Sequence, residues 1–500
     1  MPFNKNLIVN NVFYIFIIAI SFFYYAPCYI PYFDSDHGIH VLMSKDFEFA
    51  RDYYYWGQNR LGSLLPLLSH LLHKVIPIHY LYVCSIVQYI FLLTGFIILS
   101  KPLKSILLKV ALCAVIFLPV NEYNALILIG QPYAAQLFAG SLFVYLLHRL
   151  RKYLLSFGLF EKKHLLTTLG LILGASFFFY IGIWVSEFNA VLILLPVYYL
   201  LFDKPLRKRL FKDFNNKWIL LSGAFSVACA LAVFLIYSYL KKPFWAGDGY
   251  NSYFISNMVD VKNNFLFFSA KLKTTLLFGN AAVWENSYNW FILIISGFLI
   301  YPWFLKRKNV LTSNRHLIIS LEIVCLCSVV MLFVSAWNLR SAFSPRYFTP
   351  VYVIYCYLIL LWYDQPSFNK YLKLSAGALF VVFSIGYLYT VIISKEVPGP
   401  LKQYNEFRSL PRGTLMGGYW DVYKINAVAT DNLQPLPFDN ETVRNWNWRD
   451  IPLSETNFYF INENHDLPDS VYQYGILFNY SGTKYNCNNY DVLLYHKCSQ

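Results

Sequence analysis

Apolar runs of about 20 residues, the length that crosses a hydrocarbon core, recur along most of this chain and constrain its architecture more than any other feature. Eleven can be drawn, at 8–26, 80–100, 105–120, 133–149, 165–183, 184–202, 218–240, 289–305, 317–337, 348–363 and 373–393. Backbone inside lipid must satisfy its own hydrogen bonds, so such runs are read as helices. Composition agrees: 14% of the 500 residues are charged and 57% apolar, far from the roughly one quarter charged of a water-soluble domain. The expected fold class is an all-α polytopic membrane protein of about eleven transmembrane helices, with a small soluble α/β domain after residue 393.

The links between the runs sort by charge. Those after the second, fourth, sixth, eighth and tenth carry the basic residues, among them Lys101, Lys104, Arg149, Arg151, Lys162, Lys204, Arg207, Lys306, Arg315 and Lys370. The opposite links, at 121–132 and around 183, have no Lys or Arg. This is the positive-inside pattern: it predicts a cytoplasmic N-terminus in a bacterial inner membrane, with the first loop (27–79) and the tail on the periplasmic side. The net charge of +14 therefore asks for membrane lipids and not for nucleic acid, and "DKPLRKRLFKDFNNK" (203–217) reads as an inner-leaflet anchor. The first run is long and has no A-x-A site after it, so it is expected to stay as a span.

The tail, 394–500, is a different material. Nine basic and twelve acidic positions give it −3, against +17 for residues 1–393. Alternating stretches such as "TNFYFINEN" (456–464) and "YDVLLYHK" (490–497) predict strands. Cys487 and Cys498 are the two cysteines far from any apolar run, and an oxidising exterior makes a disulfide between them plausible, two free thiols being the alternative.

"PYFDSDHGIHVLMSKDF" (31–47) begins just after the first run and holds Asp34, Asp36 and Asp46. One Asp or Ser suffices to cap the helix that Ile39, Leu42, Met43 and Phe47 outline, and three such residues stand in a row. The acidic stretch and the "YYYWGQNRLGSLLPLL" (53–68) that follows resemble the first outer loop of GT-C glycosyltransferases, most of all bacterial relatives of the dolichyl-phosphate-mannose protein mannosyltransferases. "SPRYFTPVYVIY" (344–355) is similar to that family's Arg-Tyr-x-x-Pro segment, and "IGIWVSEFNAVLILLP" (181–196) to its paired-span Trp segment. Asp36 falls on the family's Asp, and His37 stands where Glu is usual.

The resemblance implies transfer of a sugar from a polyprenyl-phosphate carrier to an acceptor hydroxyl of a glycan, lipid or protein on the outer face, with inversion. The acceptor's proton needs a base, for which a carboxylate in hydrogen-bond reach serves. Asp36 is the expected base, with Asp34 orienting the site or supplying the carboxylate that His37 displaces. The lipid-phosphate leaving group needs cations. Outward candidates are Arg60, Lys241, Lys242, Arg340 and Arg346. Arg346 is favoured for its match to the Arg-Tyr of the family, with Tyr347 beside it, and its planar fork suits phosphate; a snorkelling interfacial anchor is its other reading. His37, Gln58 and Glu187 are expected to line the acceptor side. No cofactor is required on this reading; Asp34 and Asp36 would hold Mg²⁺ or Mn²⁺ if one were used, though two carboxylates are a thin shell.

Other residues fit blander roles. Glu322 reads as structural, and His70, His73 and His79 lack a third close ligand for zinc. A flippase of lipid-linked sugars would share the spans but has no use for a carboxylate loop; an oligosaccharide polymerase or ligase concentrates its arginines in late loops. The topology is directly testable: a reporter fused at residue 500 should be active only outside the cytoplasm, and a cytoplasmic signal would overturn the span count.

Overall fold

The computed structural model describes residues 5–30, 32–49, 51–56, 61–157, 162–212, 257–275, 296–305, 314–393, 398–429, 432–439, 441, 452–461, 468–487 and 490–498, with scattered positions between 224 and 239. Gln58, Arg60, Lys241, Lys242, most of the expected span at 218–240 and the first part of that at 289–305 lie outside them. Among the described residues four helices are long and apolar enough to cross a membrane: Tyr80–Ser100, Leu166–Val185, Arg315–Phe333 and Lys370–Ile393. The pair Glu187–Phe202 and Lys204–Leu210, bent by 75°, makes up to five. Further helices fall on expected runs, at Lys5–Tyr25, Ile106–Phe117, Tyr133–Phe157 and Thr349–Tyr363.

Helix ends are fixed by side chains from neighbouring links. Asp364 accepts from Lys104 N at 2.6 Å and Ser105 N at 3.0 Å, which caps Ile106–Phe117 with a carboxylate at its positive end. Asp203, wholly buried, accepts from Arg151 Nε and from Leu206 N. Both carboxylates sit in basic links and tie separate helices together. Small residues let helices approach: a Cβ on Gly95 would stand 2.8 Å from Leu137 Cγ, and one on Gly377 2.7 Å from Leu107 Cγ.

The C-terminal part is a six-stranded sheet in the order β2-β1-β3-β6-β5-β4. Its strands are β1 (Gly413–Gly417), β2 (Leu433–Pro437), β3 (Phe458–Ile461), β4 (Ser470–Gln473), β5 (Ile476–Cys487) and β6 (Tyr490–Lys497). β1 pairs in parallel with β2 and β3, and the helix Tyr419–Ala429 makes the crossover between β1 and β2. β1 is buried along its whole length, as parallel strands covered on both faces are. The other pairings are antiparallel, and Tyr474 and Gly475, both at positive φ (54° and 76°), turn β4 into β5. One apolar core runs from the membrane helices through the tail helix to Tyr459 and Val492 on the sheet.

The sheet register corrects the disulfide expectation. Cys487 pairs with Tyr490 at the turn of the β5–β6 hairpin, whereas Cys498 N donates to Leu477 O at its open end. Strands advance about 3.3 Å per residue, so the two thiols lie far beyond the roughly 7 Å Cα separation a disulfide tolerates. Both are free.

Candidate active site

The carboxylate loop begins with a helix, Ser35–Lys45, and its cap is Asp34. Asp34 Oδ1 accepts from His37 N at 3.1 Å, and the His37 ring folds back to within 2.5 Å of the same oxygen. His37 thus fills the capping-box position that Glu or Gln usually takes. The same ring nitrogen, Nδ1, also lies 3.2 Å from the Asp34 N–H, which closes the box; among the described residues the buried Nε2 has no hydrogen-bond partner. Burial pushes the Asp34 carboxyl up, but the His37 ring and the N–H groups of His37 and Asp36 outweigh it and hold the carboxyl at about 2.

Asp36, two residues on, has a different surrounding. Its Oδ1 accepts from Tyr55 O–H at 2.9 Å, and its carbonyl meets His40 Nδ1 at 2.8 Å. Tyr55 reaches it from a hairpin whose ends are pinned to the Trp segment. Gly62 N donates to Trp184 O at 2.8 Å, and Trp184 Nε1 to Tyr53 O at 2.8 Å. A Cβ on Gly62 would stand 2.5 Å from Trp184 O, so only glycine permits this seat. Trp56 Nε1 and Ser63 Oγ both close on Asp52, through its carboxylate and its carbonyl respectively. Trp56 and the Gly62-Ser63 pair of the loop motif therefore build the frame that holds Asp36.

Arg346 comes from the opposite side. The turn Pro345–Phe348 opens the helix Thr349–Tyr363, with Thr349 Oγ1 donating to Arg346 O at 2.6 Å. Arg346 Nη2 donates to Tyr347 O–H oxygen at 2.8 Å, and the guanidinium lies 4.9 Å from the Tyr347 ring centre. Among the described residues its buried Nε has no hydrogen-bond partner. Tyr352 of the same helix stacks on Tyr123 at 3.9 Å and 8°, which docks the outer link Asn121–Leu126 against it.

These elements enclose a cavity of about 260 Å³ lined by Tyr32, Asp34, Asn124, Ala125, Leu128, Gln131, Ser344 and Arg346. It brings together Asp34 and Arg346, an acid and a base 312 positions apart in the chain. Asp36, His37, Tyr347 and Glu187 are not among its lining residues; Glu187 is exposed at the start of the turn Glu187–Ile193, and Arg340 is exposed on the short helix Ala336–Arg340. Asn124, Gln131 and Ser344 carry no charge and stood out only as polar residues in a link without Lys or Arg or beside the Arg-Tyr segment. The histidines are occupied one by one: His70 Nδ1 meets Ser44 O at 3.0 Å, His73 stacks on Tyr80 at 3.9 Å, and His79 Nδ1 accepts from Leu81 N. Glu322 accepts from Trp362 Nε1 at 2.9 Å. Among the described residues no three His, Cys, Asp or Glu side chains converge on one point, and Asp34 and Asp36 have different partners.

No family model and no curated protein matches the sequence. Among solved structures, the chain is similar to ArnT from Cupriavidus metallidurans in the apo state, with a TM-score of 0.59 and 9% identity over 98% of each chain. The same protein bound to undecaprenyl phosphate matches at 0.53 and 10%, again over 98% of each. The archaeal oligosaccharyltransferase AglB from Archaeoglobus fulgidus matches 91% of this chain and 69% of its own at 12% identity and a TM-score of 0.44. The end-to-end likeness to ArnT gives this chain the fold of that protein.

The Asp34–His37 pair has a measurable signature. The folded pKa of Asp34 lies below its unfolded value, so its stabilisation is present above about pH 4 and is lost as pH falls through about 2. The melting-temperature gap between the parent and Asp34→Asn should be full above about pH 4 and narrow below it. A gap that stays constant down to pH near 2 would show that the pair contributes nothing through charge.

Proposed function

We propose that this protein is an integral-membrane glycosyltransferase that moves a sugar from a polyprenyl-phosphate carrier to an acceptor hydroxyl at the outer face of the membrane, inverting the anomeric carbon. The observation that carries the reading is the cavity in which an ionised carboxylate, Asp34, and a guanidinium with an unused buried N–H, Arg346, meet. The GT-C fold supports it, and ArnT, which shares that fold, has been solved with undecaprenyl phosphate bound.

The carrier's phosphate takes the Arg346 end, where the free Nε–H and the Nη groups offer a forked donor. The acceptor oxygen attacks the anomeric carbon from the far side; its bond to carbon forms as the bond from carbon to the carrier's phosphate oxygen breaks. The electron pair leaves on polyprenyl phosphate, whose charge Arg346 offsets. The acceptor's proton passes to a loop carboxylate. Sequence resemblance favours Asp36 for that proton, but Asp34 is the one that lines the cavity with Arg346, so we assign the base to Asp34 and a supporting role, through Tyr55, to Asp36. The reaction balances without a cofactor.

Two measurements test this. Asn caps helices about as well as Asp, so Asp34→Asn should insert and fold while transfer falls roughly 10²–10⁴-fold, the usual loss of a general base; Asp36→Asn should lose far less. The reverse ranking would return the base to Asp36, and full turnover by both variants would leave the loop with capping alone. For the phosphate, Arg346→Lys keeps the charge but loses the fork, so transfer should drop by at least about tenfold. Unchanged transfer would make Arg346 an interfacial anchor.

A further inference from the structure

The helix that carries Asp34 is clamped between two other backbones. On one side a Cβ on Gly130 would stand 3.1 Å from both Asp36 Cβ and His37 N. On the other, a Cβ on Gly38 would stand 2.6 Å from the carbonyl oxygen of Tyr423, 2.8 Å from its carbon and 3.0 Å from Lys424 Cα. Those atoms are backbone of the tail helix Tyr419–Ala429 and cannot swing aside as a side chain would. Gly38 N in turn donates to Asp34 O at 3.1 Å, so the contact lies one helical turn from the carboxylate. The tail helix is itself braced from the sheet: Asp421 Oδ1 accepts from Tyr490 O–H at 2.9 Å and pairs with Lys424 Nζ at 2.5 Å. A second seat lies just upstream, where a Cβ on Gly399 would stand 3.0 Å from Tyr29 O and 3.1 Å from Cys28 O.

We infer that the C-terminal domain positions the reaction's carboxylate: the helix Tyr419–Ala429, seated through Gly38, sets the first turn of Ser35–Lys45 and with it the direction in which Asp34 faces the cavity. Gly38 is a positioning residue, touching neither substrate nor carrier. The inference rests on the glycosyl-transfer reading. A side chain at position 38 needs nearly 1 Å more room to reach ordinary contact with Tyr423 O, and displacements of about that size can cost roughly 10²-fold in rate. Arg346 stands on another element, so carrier binding is spared.

The experiment uses the full chain in detergent or nanodiscs, with hydrogen–deuterium exchange by segment alongside steady-state transfer from a polyprenyl-phosphate sugar. In Gly38→Ala, exchange should rise in both 34–45 and 419–429 while β5 and β6 stay protected, and kcat should fall about 10–100-fold with the carrier KM unchanged. Asp421→Asn, which loosens the tail helix without touching the loop, should raise exchange in the same two segments and lower kcat at unchanged KM. Lys484→Ala, at the Lys484–Asp491 pair on the far hairpin, should change neither. Full turnover in Gly38→Ala, a KM rising in step with the loss, or a loosened 419–429 with 34–45 still protected in Asp421→Asn would each overturn the inference. A parent chain that binds the carrier sugar but transfers nothing would instead count against the proposed function, while the exchange result still decides whether the tail holds the loop.

Discussion

Eleven residues are too few to hold a helix in water by themselves, and the helix Ser35–Lys45 is that long. Everything at the cavity depends on what packs against it. Ile39, Val41, Leu42 and Met43 are at most 2% exposed, and burial of such side chains contributes about 1.5–3 kcal/mol each. Gly38, one position before them, faces the tail helix. Asp34 then caps a helix that already exists and lines the cavity from its first turn.

The electrostatics follow from that placement. Asp34 is ionised at any ordinary pH because His37 and two backbone N–H groups stabilise the charge more than burial penalises it. Arg346 supplies the cation among the lining residues, and Asn124, Gln131 and Ser344 surround the two with neutral dipoles. Such dipoles can hydrogen-bond a sugar's hydroxyls without competing for the phosphate. A cavity of this kind holds its charges fixed before a ligand arrives, which is the arrangement that stabilises charge developing on a leaving phosphate.

Much of the helical fold was legible because hydrocarbon leaves so few options: long apolar runs had to be helices, and those that fall on described residues are. The strands at 456–464 and 490–497 were visible from alternation, and β3 and β6 lie there. The site was legible only in part. Asp34 and Arg346 were singled out as residues, but which of Asp34 and Asp36 would face Arg346 turns on a helix phase that spacing alone does not give. The disulfide failed for a similar reason: proximity in sequence, 487 against 498, says nothing about which end of a hairpin each residue occupies. Asn124 and Gln131 were invisible as site residues because neutral amides in a loop look alike until a cavity forms beside them.

The pairing of 9% identity with full-length coverage has a physical reading. In lipid, helices associate by close packing of small residues and not by a hydrophobic driving force. What must be kept is where backbones touch, not which apolar side chain fills the space between. Gly62 against Trp184, Gly130 against Asp36 and His37, and Gly38 against Tyr423 are backbone contacts of that kind, while Gly95 seats the Leu137 side chain. Three of the four lie in or against the first outer loop. The cavity's polar lining, Asn124, Gln131 and Ser344, is set by side chains and not by those backbone seats.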